Sequence, residues 1–302
     1  MKAWFLKLHR WLALAFALPL AVVLVTGLIL SFEPWLAARA VQPGTLTPAR
    51  IEQLLARHDP QGQARAIAYR SYDNTLTIGG RGQGKIVDAA SGEARPGPSG
   101  LASFLVTSRR LHETLLLDAG WLVVASTVVM LALVVLGALM GWPRIRNTLG
   151  GWHKAMGWGL LPLMVLSPLT GIFIAAGVTF TGPPPAAAPG PAPRLAEAVR
   201  VLGAQHDLSG LVWLRPQGGR LLARLIVDGE YRVYAVTKDG AVPTPRNWPR
   251  LWHEGNFAGW AAWMNAILSV AMIGLLVTGP WIWLRRKLRH RASRTRGAAA
   301  TA

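Results

Sequence analysis

Four of the seven histidines stand at similar places before four long apolar runs of this 302-residue chain. His9 and His153 stand at the charged entrances to the first and third runs, whereas His112 and His253 stand at the approaches to the second and fourth. The intervals are alike, 103 residues from His9 to His112 and 100 residues from His153 to His253. This spacing predicts that His9 lies opposite His153 and that His112 lies opposite His253.

Two imidazoles opposed across a flat macrocycle could serve as the axial ligands of a b-type haem, and small residues would give the ring room. Gly27 follows His9 by 18 positions, and Gly171 follows His153 by the same interval. These two glycines are the candidate small residues. The absence of Cys excludes thiolate ligands and iron–sulfur clusters. The alternative is that the histidines mark membrane interfaces and that the glycines only pack helices together.

The apolar runs that must position these histidines are long enough to cross a bilayer. None of them contains Asp, Glu, Lys or Arg, and they are Leu12–Phe32, Trp121–Trp142, Ala155–Val178 and Ala261–Leu284. We therefore predict a membrane α-helical protein with a bundle of four transmembrane helices.

The net charge of +18 is unevenly distributed along the chain. The first ten residues, the connection between spans two and three, and the C-terminal tail hold thirteen Lys and Arg and no Asp or Glu. By the positive-inside rule these segments lie in the cytoplasm, with both termini, and the two long connections lie outside. A nucleic-acid partner is not expected, because no soluble face gathers the basic residues. The tail is expected to bind anionic membrane lipid.

The two long connections share one pattern, a short helix followed by alternating strand-like stretches. The helices are predicted over 47–57 and 194–205, and the strands over 64–71, 74–80, 85–87, 211–215, 220–227 and 231–237. We interpret the chain as two parallel repeats, each with two spans and one small α+β module. Each module is too small for a robust core of its own, so the two are expected to pair.

A second recurring feature is His58-Asp59 and His206-Asp207, each placed after an outer helix. These pairs could contact a metal or a substrate. The alternative is a cationic residue at a helix C-terminus followed by an acidic turn. The sequence leaves the role of His58 and His206 open.

Several segments resemble the PepSY-associated transmembrane proteins. The resemblance covers nearly the whole chain and is carried by LHRWLALAFALPLAVVLVTGLIL, LHETLLLDAGWLVVAS and WHKAMGWGLLPLMVLSPLTG, with IVDAASGEA similar to the turn that closes a PepSY module. Characterised members are inner-membrane ferric-siderophore reductases that carry haem b, and their histidine positions correspond to His9, His112, His153 and His253. The resemblance implies an oxidoreductase of the ferric-chelate reductase type.

The sequence thus leads to an expected function and to expected divisions of the chain. We expect one or two haems b, electron transfer from a quinol or a cytoplasmic reductase, and a ferric siderophore as substrate at the periplasmic side of the inner membrane. The alternatives are a haem-free PepSY scaffold that binds or inhibits an envelope partner, and a quinol-linked cytochrome with another acceptor. The divisions are 1–32 for the cytoplasmic N-terminus and first span, 33–110 for the first periplasmic PepSY-like module, 111–142 for the second span, 143–154 for a cytoplasmic loop, 155–178 for the third span, 179–252 for the second module, 253–284 for the fourth span and 285–302 for the basic cytoplasmic tail.

One distance opposes the simplest form of this hypothesis. His112 precedes Trp142, at the other end of the second run, by 30 residues. A straight helix would therefore separate the His112/His253 pair from the His9/His153 pair by ~45 Å along the membrane normal. We therefore expect the approaches to spans two and four to bend, aided by Gly120 and Gly255.

Overall fold

A computed structural model of the chain describes residues 2–80, 83–116, 118–142, 146–182 and 192–300. The chain divides into two compact units. The membrane unit comprises Met1–Ile29, Ser108–Val178 and Met264–Ala302, and the sheet unit comprises Leu30–Thr107 and Thr179–Trp263. Residues 143–145 of the expected cytoplasmic loop and residues 301–302 of the expected tail lie outside the described residues.

The helices and strands follow one another in chain order. The helices are α1 (Lys2–Ala15), α2 (Ala17–Leu30), α3 (Glu33–Ala40), α4 (Pro48–His58), α5 (Gly100–Thr114), α6 (Gly120–Leu139), α7 (Leu149–Gly159), α8 (Leu161–Ala175), α9 (Leu195–Gln205), α10 (Trp248–Glu254) and α11 (Gly259–Ala300). The strands are β1 (Ala66–Arg70), β2 (Thr75–Gly80), β3 (Gln83–Asp88), β4 (Ala94–Arg95), β5 (Leu211–Gln217), β6 (Arg220–Val227), β7 (Glu230–Val236) and β8 (Ala241–Pro243).

Three helical stretches are long and apolar enough to cross a membrane, namely Ala17–Ala40, Gly120–Leu139 and Gly259–Arg289. The pair α7 and α8, bent by 64°, forms a fourth if it is counted as one span. Within the membrane unit, one hydrophobic cluster includes buried side chains from α2, α6, α8 and α11, among them Leu20, Met130, Met164 and Leu268. The protein is therefore a membrane protein with three to four spanning helices.

Two of the predicted spans are interrupted, and prolines explain the positions of the breaks. The first run, predicted as one helix, is broken at Phe16, and the third is broken at Leu160. A proline has no N–H to donate, and its ring clashes with the carbonyl four residues earlier. Pro19 and Pro162 stand three and two residues after these breaks, where each ring disturbs the preceding turn.

The approaches to the second and fourth spans are separate helices, as expected from the distance between histidine levels. α6 begins at Gly120 rather than at residue 111, and α11 begins at Gly259 rather than at residue 253. Leu115 and Leu116 between α5 and α6 have positive φ values of 53° and 61°, a left-handed backbone that ends an α-helix. His112 and His253 therefore lie on short helices that precede the spans.

All eight strands form one antiparallel sheet in the order β4-β3-β2-β1-β5-β6-β7-β8. The first four come from one long connection and the last four from the other. They join where Ile67 pairs with Leu214 and Ala68 pairs with Trp213. The predicted helices and strands of both connections, and the expected pairing of the two modules, are confirmed.

The hydrophobic core of the sheet unit is built from both halves. Side chains of α4, α9 and the sheet form a single buried cluster that includes Ile51, Leu54, Leu76, Val199, Leu202 and Leu225. α4 and α9 pack closely, since a Cβ at Gly203 would overlap the ring of Pro48. The two halves therefore share one core, in agreement with the small size of each.

Candidate functional site

His153 is held in a defined orientation by span four. Its Nδ1 lies 2.7 Å from Thr278 Oγ1, and the Thr278 hydroxyl also lies 2.7 Å from the Gly274 carbonyl oxygen. Since that carbonyl can only accept, the hydroxyl donates to it and accepts the Nδ1–H of His153. This fixes the neutral tautomer in which Nε2 carries the lone pair, as an axial metal ligand requires.

Gly279 provides the space for this ring. A Cβ at Gly279 would lie 3.5 Å from His153 Cε1, at ordinary contact distance, so a larger side chain there would press on the imidazole. Thr278 thus accepts the hydrogen bond of His153, and Gly279 leaves room for the imidazole ring. Thr278 and Gly279 form one of three Thr-Gly steps in the apolar runs, together with 26–27 and 170–171, and this repetition was a weak signal for the site.

His112 makes a corresponding contact with span one. Its Nδ1 lies 3.0 Å from the Val23 carbonyl oxygen and 3.2 Å from Thr26 Oγ1. The carbonyl can only accept, so Nδ1 carries the proton and Nε2 carries the lone pair. A Cβ at Gly27 would lie 3.3 Å from His112 Cε1, closer than most such contacts.

The structure shows which histidine lies beside Gly27. Gly27 follows His9 by 18 positions, but the imidazole beside it is that of His112. The reason is geometric, because 18 helical residues extend ~27 Å and so separate a histidine from the glycine on its own span. Gly279, on another helix, lies beside His153. A role of Gly27 or Gly171 in holding a cofactor stays a prediction.

His9 lies on α1, which packs against α6. The Leu133 carbonyl of α6 faces the His9 ring, yet His9 Nδ1 is buried and makes no hydrogen bond of normal geometry within the described residues. His9 and His153 lie close enough for the charge of one imidazole to be felt at the other. The fold therefore brings together two histidines that are 144 positions apart in the chain.

His253 lies in the last turn of α10, in the sheet unit. α10 is capped by the Asn247 side chain and ends at Gly255, whose φ of 65° is left-handed. Glu254 fixes the helix to the sheet, accepting from Arg224 of β6 at 2.7 Å and from Arg250 at 2.8 Å. Because His112 belongs to the membrane unit, the predicted pairing of His112 with His253 stays a prediction.

The distance between His112 and the level of His9 is shorter in the structure than a straight second span would make it. His112 contacts span one at Val23 and Thr26, which lie 14 and 17 residues after His9. At 1.5 Å per residue, 17 residues correspond to ~25 Å along the helices, compared with ~45 Å for a straight second span. The break between α5 and α6 therefore shortens the separation by about 20 Å.

His58 and His206 have structural contacts in the sheet unit. His58 Nε2 lies 2.9 Å from the Gly92 carbonyl oxygen and so ties α4 to the turn after β3. The His206 ring packs on Tyr234 with 4.4 Å between ring centroids, and burial lowers its pKa. Both oxygens of Asp59 accept backbone N–H groups, from Gln63 and Ala64. These contacts give His58, Asp59 and His206 structural roles, although the lowered pKa of His206 does not fit a cationic residue at a helix end.

The sheet unit has an open cavity of about 350 Å³ beside α4. Its lining includes His58, Asp59, Arg65 and Lys85 together with the glycine backbone of β2. Arg65 and Lys85 are exposed, which gives this surface the charge that a small anionic ligand would favour.

The donor set of the membrane unit fits haem. A b-type haem needs neutral imidazoles whose second nitrogen is held by a hydrogen bond. His153 and His112 have this arrangement, whereas Nδ1 of half-buried His9 makes no hydrogen bond of normal geometry within the described residues. The apolar surroundings of α2, α6, α8 and α11 supply walls of the required polarity.

Comparison with known proteins gives one finding for the whole chain. The model of a family described as PepSY-associated TM region matches residues 6–286. A search of curated proteins finds no match. The matched range includes all four histidines and both units.

Proposed function

Since this chain belongs to the family of PepSY-associated TM regions, we propose that it is a b-type haem protein that transfers electrons across the inner membrane to periplasmic ferric-siderophore iron. The observation that carries the proposal is the orientation of two histidines, since Thr278 holds Nδ1 of His153 and the Val23 carbonyl holds Nδ1 of His112, so that Nε2 of each carries the lone pair. Ionisable residues among membrane helices are rare and are functional by default.

The proposed architecture has four spans in two parallel repeats, with both termini in the cytoplasm and the sheet unit in the periplasm. It is supported by the concentration of Lys and Arg in the termini and in the connection between α6 and α7. It is also supported by the like order of elements, helix then four strands, in the two halves of the sheet.

Each side chain has a defined part in this proposal. His9 and His153 would hold one haem near the cytoplasmic side, and His112 and His253 would hold a second nearer the sheet unit. Thr278 orients His153 through Nδ1, and the Val23 carbonyl orients His112. A bound haem would supply one-electron chemistry, while the helices supply position and a dry environment.

The electron balance needs a donor and an acceptor from outside the chain. One electron reduces ferric iron to ferrous iron, and the less charged ion is held more weakly by oxygen-donor chelators. The donor would be a quinol or a cytoplasmic reductase. The exposed cations Arg65 and Lys85 are a candidate contact for an anionic chelate.

The direct test is a reduced-minus-oxidised absorption spectrum of the purified protein. We expect Soret and α-band signals, and we expect a His9→Ala/His153→Ala variant to lose the part of the signal that belongs to that pair. His58→Ala is the matched control, because His58 bonds the Gly92 carbonyl in the sheet unit; its spectrum should equal that of the unaltered protein. A folded, colourless unaltered protein would contradict the proposal and would favour a haem-free scaffold.

The acceptor is tested separately. Reduced protein mixed with ferric siderophores should reoxidise, and the ferrous iron formed should equal the electrons lost. If haem is present but ferric chelates do not reoxidise it, the protein is a cytochrome for another acceptor.

A further inference from the structure

The contact of His112 with span one places the end of α5 inside the membrane. His112 Nδ1 lies 3.0 Å from the Val23 carbonyl oxygen and 3.2 Å from Thr26 Oγ1. The apolar run 12–32 extends ~32 Å, about the thickness of the hydrocarbon core, so its last turns lie within the membrane. Thr26 and Val23 precede Phe32 by six and nine residues, or ~9 and ~14 Å along the helix. His112 therefore lies at the level of the hydrocarbon core.

Charged side chains stand next to His112 on α5. Glu113 follows it directly, and Arg109 and Arg110 precede it by three and two positions. Glu113 and Arg109 lie 4.0 Å apart, with 60% and 45% of their side chains exposed, and Arg110 is exposed as well. Because adjacent Cα atoms are ~3.8 Å apart, Glu113 lies at nearly the same level as His112. α5 thus has an exposed carboxylate beside the apolar part of span one.

An exposed glutamate at this depth needs water. Charged residues inside a membrane are costly, and almost all of them face the interior of a bundle or a water-filled cavity. Long Lys and Arg side chains can instead extend to the lipid headgroups. This explanation is sufficient for Arg109 and Arg110 but not for Glu113. The exposed surface of Glu113 is therefore in contact with water rather than with acyl chains.

We propose that a water-filled entrance reaches His112 from the membrane surface and is lined by Glu113, Arg109 and Arg110. The existence of the entrance does not depend on haem. Its use rests on the proposed function, because a hydrophilic acceptor such as a ferric chelate would approach His112 through water instead of crossing the hydrocarbon core.

Single thiols can test where water reaches, because the chain has no Cys. Glu113→Cys, Arg110→Cys and Val25→Cys are placed in lipid nanodiscs and treated with a small sulfonate-bearing methanethiosulfonate, and mass spectrometry measures the rate of modification. Val25 is the matched control, since it lies between Val23 and Thr26 at the same depth and is 46% exposed. We expect both α5 variants to react about a hundredfold faster than Val25→Cys, because the charged reagent is excluded from acyl chains.

Two outcomes of this comparison would overturn the proposal. If both α5 variants react as slowly as Val25→Cys, water does not reach this side of α5. If all three variants react fast, the whole level lies in bulk water and no entrance is needed. Glu113→Cys and Arg110→Cys each give the comparison alone, so the test survives if one of them fails to fold.

The use of the entrance is tested with the same proteins. After modification by the sulfonate reagent, reduced Glu113→Cys should lose its reoxidation by ferric chelates, whereas Val25→Cys treated in the same way should keep it. Unchanged reoxidation of modified Glu113→Cys would overturn the proposed route. If the unaltered protein carries no haem, the proposed function fails, and the rates of thiol modification still decide whether the entrance exists.

Discussion

Three histidines of the membrane unit, His9, His112 and His153, differ in what holds their Nδ1 atoms. His112 donates to a main-chain carbonyl, and His153 donates to a threonine hydroxyl. His9 makes no hydrogen bond of normal geometry at Nδ1 within the described part of the chain. Since such a hydrogen bond raises the basicity of an imidazole, the proposal of one haem between His9 and His153 implies two chemically unequal ligands.

This difference predicts the effect of changing Thr278. Thr278→Val keeps the shape of the side chain and removes the acceptor of the His153 Nδ1–H, whereas Thr278→Ser keeps it. We expect Thr278→Val to weaken haem binding by about tenfold or more, as changes of such outer partners do, and Thr278→Ser to remain near the original. Absorbance titration measures the affinity, and ¹⁵N NMR of the apo protein measures the His153 tautomer.

The NMR measurement separates orientation from general damage. A merely structural role for Thr278 would weaken haem binding in both variants and leave the tautomer unchanged. Equal tautomer populations in Thr278→Val and the original protein would contradict the assignment.

At the scale of elements, the turn after β3 joins α4 to the sheet. Asp88 Oδ1 accepts from the N–H groups of Ala90 and Ser91, and Arg50 donates to the Ala89 carbonyl. The hydrogen bond from the Ser91 backbone is the main reason that the pKa of Asp88 is lowered. The PepSY-like string IVDAASGEA therefore encodes a turn stabilised by its own carboxylate.

A pH-dependent prediction follows for Asp88→Asn. Because the pKa of Asp88 is lowered in the folded protein, its stabilisation is complete above the ordinary pKa of Asp and is lost as the pH falls through the folded value. We expect the variant to increase the rate of hydrogen exchange at Ala90 and Ser91 by about tenfold near neutral pH, which corresponds to ~1.5 kcal/mol for a hydrogen bond to a charged group. At acid pH the exchange rates at Ala90 and Ser91 should be nearly the same in the variant and in the original protein.

The control for this change lies in another turn of the same unit. Asp228 has a φ of 52°, a backbone that Asn adopts as readily as Asp. Asp228→Asn should leave exchange at Ala90 and Ser91 unchanged at every pH. If Asp88→Asn still exchanges faster than the original protein at Ala90 and Ser91 in acid, the effect of the substitution is not electrostatic.

At the scale of the whole molecule, two segments far apart in sequence form one folded unit. Leu30–Thr107 and Thr179–Trp263 share one sheet and one core, and the segments between and around them form the membrane unit. Neither outer segment has enough apolar surface for an independent core. The two long connections therefore lie on the same side of the membrane, and the spans between them must return the chain to that side.

The chain has no Cys, so single cysteines can test this arrangement without background. We expect Ser91→Cys to react with a membrane-impermeant maleimide in intact spheroplasts. Ala3→Cys and Ala292→Cys should react only after permeabilisation, because the positive-inside rule puts both termini in the cytoplasm. Reaction of Ala3→Cys in intact spheroplasts would contradict the proposed orientation.

The sequence by itself determined the elements and their membrane character. Four uncharged apolar runs identified the spanning segments, and alternation with turn residues identified the strands of the sheet, because these signals are local and periodic. The shared sheet was also foreseeable from the size of each module. Even the bends before spans two and four could be expected, since a straight helix would have held the histidine levels too far apart.

Only the tertiary structure decided which residue meets which histidine. The equal 18-residue intervals favoured Gly27 for His9 and Gly171 for His153, but Gly27 lies beside His112 and Gly279 beside His153. Sequence spacing gives the position of a residue along its own helix axis. The residue that it contacts belongs to a neighbouring helix and depends on how the helices pack. The packing of helices also set His112 against the Val23 carbonyl, 89 positions earlier in the chain, and no periodic pattern could have indicated that contact.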